Sequence, residues 1–303
     1  MALADCHSAE SGAYVGNGVD GRAITGLGFA PDVVIIKGDT NEYACCRTSP
    51  MSGDASKRLG AATALVSNRI QSLTSDGFTL GSDDEVNRAG RDYYWIAFKA
   101  AADILAAGSY TGNGVNNTNI TTVGFKPDYV VVMAATNRHA IQRSDLMPAN
   151  NSIAFDSVAG AGNKLLGFVG TGFRLGTHAD VNASGVTYYY AAWKATALEV
   201  SIGSYAGDGV DNRVIRGLGY RPEYVMVKAW STASGVHRPA SLGTSAGALT
   251  FSNNANLADS IQQIAADGFE VGRNSTVNSS GTTYYWTAFG PRGPRILAWE
   301  EAP

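Results

Sequence analysis

The sequence predicts an all-β protein made of three tandem homologous domains of the sandwich or barrel type. Three observations predict it: a long motif that occurs three times, a composition rich in glycine and poor in charge, and short apolar runs divided by turn signals. The motif reads Gly12-Ala-Tyr-Val-Gly-Asn-Gly-Val, then Leu27-Gly-Phe-Ala-Pro-Asp-Val-Val-Ile-Ile36. It returns as Gly108-Ser-Tyr-Thr-Gly-Asn-Gly-Val with Val123-Gly-Phe-Lys-Pro-Asp-Tyr-Val-Val-Val132. A third copy is Gly203-Ser-Tyr-Ala-Gly-Asp-Gly-Val with Leu218-Gly-Tyr-Arg-Pro-Glu-Tyr-Val-Met-Val227.

The spacing of matched landmarks sets the unit. Tyr14, Tyr110 and Tyr205 are 96 and 95 residues apart, as are Phe29, Phe125 and Tyr220. Phe78, Phe173 and Phe269, and the runs opening at Tyr93, Tyr188 and Tyr284, are 95 and 96 apart. That period exceeds the roughly 20 to 50 residues of solenoid or propeller repeats and suits a small domain with its own core. The expected division is an arm at 1–10, repeats at 11–106, 107–201 and 202–290, and a strand or docking tail at 291–303. Three such units can pack about a threefold axis or in a row.

Within the first unit, Gly-Asn-Gly flanked by apolar residues signals a hairpin, since these residue types tolerate positive φ. A strand follows near residues 23–27, and Pro31 fixes a turn. Residues 33–37 form a β-branched apolar run expected to be a buried strand. Further strands are expected at 43–47, 78–80 and 93–99, while 69–73 reads equally as strand or helical turn. Val86-Asn87 and its copies Val181-Asn182 and Val277-Asn278 read as turns. The linkers 101–106 and 196–201 are apolar and predict strands that pack the units together.

Composition excludes several functions. Charged residues make up 16% of the chain and glycine 36 of 303, against about 25% and about 7% in ordinary globular proteins. The net charge of −3 offers no basic footprint for nucleic acid. No apolar run approaches the roughly 20 residues of a membrane helix. The opening Met-Ala-Leu-Ala-Asp-Cys-His has neither the basic nor the apolar region of a secretory signal.

Candidate contact residues are those that recur. Alternation places Tyr93 and Trp95 on one face of their strand and Tyr94 and Phe98 on the other. Tyr188 and Tyr190, then Tyr284 and Trp286, repeat the first face. These rings predict core packing, or a stacking platform for sugars or a protein partner. Arg47, Arg143 and Arg238 recur in register and predict a structural role, with Asp32, Asp128 and Glu223 as matched acids, or a ligand contact. The Gly-Asn-Gly-Val loop has too few carboxylates for Ca²⁺, the second copy having none. His7, His139, His178 and His237 fill no position common to all three units. With no catalytic motif or cofactor fingerprint, the chain is expected to be neither an enzyme nor a cofactor protein. Cys6, Cys45 and Cys46 are an odd set. They predict buried thiols or a bridge from Cys6 to a neighbouring subunit.

The tandem motif resembles repeat domains encoded in the structural modules of tailed bacteriophages and prophages. That resemblance covers all three units. It implies β-sandwiches of jelly-roll or concanavalin type and a non-catalytic virion component: a capsid decoration or cement protein, or part of a tail, collar or fibre. Its partners would be other virion proteins, and its location the virion after synthesis in the host cytoplasm. The alternative it implies is a lectin-like module that binds a host receptor or surface glycans. No catalytic residue is carried over.

Overall fold

The computed structural model describes residues 8–243 and 247–290. The chain is almost entirely antiparallel β. The first repeat runs β1 (Ser8–Val15), β2 (Arg22–Thr25), β3 (Val33–Gly38), β4 (Cys45–Thr48), β5 (Lys57–Arg58), β6 (Ile70–Thr74), β7 (Gly77–Leu80), α1 (Asp84–Asn87) and β8 (Asp92–Lys99). Its strands form a larger sheet, ordered β1-β8-β3-β4-β5, and a smaller one, ordered β2-β7-β6. The second and third repeats return this order, with one extra short edge strand, Ala161–Gly162, in the second. Every sheet draws its strands from a single repeat. The first strand begins at Ser8, inside the expected arm, and the strand or docking tail expected at 291–303 lies outside the described residues.

The larger sheet is buried on both faces, which is why β3 reads as an unbroken apolar run. Val34 and Ile36 point into a core shared with the smaller sheet, alongside Phe78, Leu80, Tyr93 and Trp95. Val33 and Ile35 point the other way, into a core common to all three repeats. There Phe98, Trp193 and Phe289, one from each repeat at matched positions, meet as a triangle. Their ring centroids lie 5.6, 4.7 and 5.5 Å apart. Leu59, Phe155 and Phe251, and Ala9, Leu105 and Val200, are further matched sets in this core. A cavity lined by Cys46, Phe98, Phe155 and Met226 holds about 10 Å³, the size of one water at most.

Equivalent residues converging on one point define an approximate threefold axis, and the contacts between repeats run in a closed circle. Between the first and second, the buried Lys57 ammonium donates to the carbonyls of Ala134, Thr136 and Arg138 at 3.0, 3.2 and 2.9 Å. Between the second and third, Gly235 N–H donates to Phe155 O at 2.8 Å. Between the third and first, Ala44 N–H donates to Phe251 O at 3.0 Å, and Ser11 N–H to Glu223 Oε1 at 3.2 Å. The chain is therefore a ring and not a row.

Two local differences from the sequence expectation have clear causes. The linkers open with tight turns before the next strand starts, because Asp103 and Leu198 adopt left-handed φ of 61° and 68°. The Val-Asn pairs close one-turn helices at Asp84–Asn87, Ala179–Asn182 and Ser275–Asn278. The side chains of Asp83, His178 and Asn274 cap these helices by accepting an amide proton.

The motif glycines answer to close approach. Gly12, Gly108 and Gly203 lie across the strand pair from Trp95, Tyr190 and Trp286. Each ring lies over its glycine, so an added Cβ would fall 2.3, 2.2 and 2.0 Å from a ring or hydroxyl atom. The adjacent pairs Tyr14–Tyr93, Tyr110–Tyr188 and Tyr205–Tyr284 stack at 5.3, 5.2 and 5.2 Å.

Candidate functional site

The feature repeated most faithfully on the surface is the Gly-Asn-Gly-Val loop after the first strand of each repeat. Its middle residue folds back on its own backbone: Asn17 Oδ1 accepts from Val19 N–H at 2.9 Å. Asn113 with Val115 and Asp208 with Val210 do the same at 2.8 Å. Gly18, Gly114 and Gly209 take φ of 69°, 71° and 72°, which an L side chain adopts only with strain.

A buried asparagine from the one-turn helix anchors each loop from behind. Asn87 Nδ2 donates to Val19 O and Gly81 O, both at 2.9 Å, while its Oδ1 accepts from Asn17 N–H at 3.0 Å. Asn182 holds Val115 O at 2.9 Å and Asn113 N–H at 2.9 Å. Asn278 holds Val210 O at 2.8 Å and Asp208 N–H at 3.0 Å. All three amides are fully buried; Asn87 and Asn182 donate to backbone carbonyls, while Asn278 donates to Val210 O and to Asp208 Oδ1 at 3.1 Å. The loops are rigid because the asparagines leave them no slack. The sequence reads these asparagines as turn residues; their near-constant separation from the loop, 70, 69 and 70 positions, is the signal of a partnership.

What the loops present is apolar. Val19, Val115 and Val210 are 57%, 59% and 59% exposed, although valine is usually an interior residue. A threefold relation puts three such points at one level along the axis, equally disposed around it. No carboxylate cage lies behind them. Among the described residues no group of three or more His, Cys, Asp or Glu is placed to hold a metal.

The recurring aromatic residues lie elsewhere. Tyr93, Trp95, Tyr188, Tyr190, Tyr284 and Trp286 are buried in the separate cores of their repeats, so they form no stacking platform. On the opposite face Phe98, Trp193 and Phe289 fill the central core, and Tyr94, Tyr189 and Tyr285 are half-buried. The hydroxyls of Tyr93, Tyr188 and Tyr284 bind backbone, as when Tyr93 donates to Asp84 O at 2.6 Å, while that of Tyr190 meets Thr122 Oγ1 at 2.9 Å.

The three arginines are also buried, and their guanidinium groups gather loop carbonyls. Arg47 donates to Ala55 O, Met51 O and Gly53 O at 2.5, 2.9 and 2.7 Å. Arg143 donates to Pro148 O at 3.0 Å, Met147 O at 3.2 Å and Asn151 O. Arg238 donates to Gly243 O at 2.6 Å and to Gly247 O. Their role is structural, but the acids expected to pair with them are used differently. Asp32 and Asp128 accept from Ala100 N–H and Ala195 N–H at 2.7 and 2.8 Å, fixing the start of each linker.

Cys45 and Cys46 are free thiols pointing to opposite faces, the first into its repeat's core and the second into the central one. Burial pushes Cys46 up to about 12 and raises Cys45 as well, so neither is poised for exchange with a neighbouring subunit. Cys6 lies outside the described residues.

Comparison with known families adds one match. Residues 97–197 fit a family model described as a domain of unknown function, DUF7483. The matched window opens inside β8, spans the second repeat and ends in the turn that leads to the third. No curated protein matches the chain. No helix among the described residues is long and apolar enough to cross a membrane.

Proposed function

We propose that the chain is a non-catalytic bacteriophage virion structural protein. It would decorate or cement a capsid, or build part of a tail, collar or fibre. The observation that carries the reading is the rigid set of three exposed valines about the approximate threefold axis. An assembled particle offers the same partner surface many times, often about symmetry axes. Three equivalent tips on one body meet such sites together, and each contact after the first forms at raised effective concentration. Burying one valine contributes on the order of 1 kcal/mol, so one tip is weak and three are useful. The repeat motif's resemblance to phage structural modules supplies the biological setting. Burial of the recurring tyrosines and tryptophans weighs against the glycan-platform alternative.

The test is co-sedimentation of the purified protein with phage particles lacking it, comparing wild type with a Val19→Asp, Val115→Asp, Val210→Asp variant. Saturable binding by the wild type, lost in the folded variant, is the expected result. Absence of wild-type binding to capsids and to tails would refute the reading. Dose-dependent binding on a glycan array in its place would move the protein to the lectin class.

A further inference from the structure

The three repeats differ at one matched place, beside the N-terminal end of the one-turn helix. In the first repeat it is closed by ion pairs: Glu85 takes Arg58 and Arg69, both at 2.6 Å. In the third it is neutral: Ser234 meets Ser252 at 3.0 Å, and Ser260 meets Thr276 at 3.2 Å. In the second it opens as a cleft of about 520 Å³ against Ala62 of the first repeat, lined by Arg138, His139, Lys164 and His178. Arg138 matches Glu42 and Ala233, so this arginine belongs to the second repeat alone.

The two carboxylates there are already engaged. Asp156 Oδ2 lies 2.6 Å from His139 Nδ1, a bond that raises the imidazole's pKa. Asp180 holds the buried Lys164 ammonium at 2.9 Å and accepts from His139 N–H at 3.4 Å. His178 Nδ1 accepts the Asp180 amide proton at 3.1 Å, which leaves Nε2 to carry the ring proton as a donor. Arg138 is the group left over. One Nη donates to Asn137 O at 2.9 Å, while Nε is buried with no partner among the described residues. A guanidinium N–H without an acceptor is costly, and the half-buried Arg138 lines the cleft together with Lys164, His178 and the Asp180 carboxylate.

We propose that this cleft binds an oxyanion, a carboxylate or a phosphate, held by the Arg138 guanidinium with Lys164 and His178 Nε2–H. The assignment is independent of the virion reading. A planar guanidinium suits either anion through paired N–H bonds. Asp180 holds the Lys164 ammonium in place through one N–H and leaves its others to donate.

The experiment titrates the full chain with inorganic phosphate and, separately, with acetate, following the imidazole NMR signals of His139, His178 and His237. Saturable shifts of His139 and His178 with at least one anion, while the buried His237 stays fixed, are expected. The anion that saturates at lower concentration identifies the class. Arg138→Gln should weaken the binding about tenfold or more. His178→Asn, which restores the helix-capping residue of the third repeat, should weaken it less. No saturable shift with either anion overturns the site, as does binding that survives unchanged in both variants.

Discussion

Phe98 and Phe289, from the first and last repeats, lie with ring centroids 4.7 Å apart, tilted at 59°. With Trp193 they form the centre of a core that no repeat owns. The repeats carry separate cores as well, so their independence depends on how much this shared contact contributes.

Phe289→Ala should cost about 3–5 kcal/mol, the usual range for emptying a buried aromatic site. Chemical denaturation followed by tryptophan fluorescence measures it. The wild type should unfold in one transition, because each repeat leans on the other two. Three separated transitions in the wild type would show that the central aromatics are incidental.

Gly203→Ala should destabilise the protein by several kcal/mol, since the new methyl would fall 2.0 Å from the Trp286 ring. Overpacking in a well-filled site costs about 1–3 kcal/mol and more where nothing can yield. Gly170→Ala is the control: a Cβ there meets nothing within 4 Å and the backbone is not left-handed. Equal melting temperatures for the two variants would contradict the ring-over-glycine account.

Asn182→Ala should loosen the second loop and cost about 1–3 kcal/mol, because Val115 O, Gly176 O and Asn113 N–H lose their partner together. Limited proteolysis should cut near residues 112–117 sooner than in the wild type. An unchanged cleavage pattern would mean the loop does not depend on its anchor.

His237 is buried against Phe251 at 4.4 Å, and neither ring nitrogen has a partner among the described residues. Burial holds its pKa well below 6.5, so the folded chain refuses a proton that the unfolded chain accepts. Stability should therefore fall as pH drops below about 6.5, by at most about 1.4 kcal/mol per pH unit for this one group. At the matched position of the second repeat, Gln142 accepts a bond from Tyr129 OH at 2.8 Å. His237→Gln should reproduce that bond with Tyr224 and flatten this part of the acid limb. An acid limb as steep in the variant as in the wild type would exclude His237 as its source.

Much of the fold was legible because the relevant signals are local. The alternation that separates Tyr93 and Trp95 from Tyr94 and Phe98 is a property of one strand, and it sorted the two faces correctly. What each face meets was not legible, because Phe98 touches residues a full repeat or two away. Ring against row is decided by contacts such as Lys57 with Ala134, which leave no periodic trace. The recurring arginines drew attention for their charge, yet backbone carbonyls satisfy them, and carbonyls are invisible in a list of side chains. The cleft at Arg138 escaped notice for the opposite reason. Sequence comparison among the repeats rewarded what was the same, whereas this place stands out by departing from its two counterparts.

The closed circle of contacts has a consequence for how the chain is threaded. Ala9, Leu105 and Val200 enter the central core at equivalent points, and Phe98, Trp193 and Phe289 leave it at equivalent points. The turn that carries the backbone from Phe98 to Leu105 spans the same gap that separates Phe289 from Ala9. A circular permutant opened at Asp103 and spliced across that gap with a linker of similar length would therefore rebuild the same object. Which repeat is translated first is a matter of genetics that the finished molecule does not register.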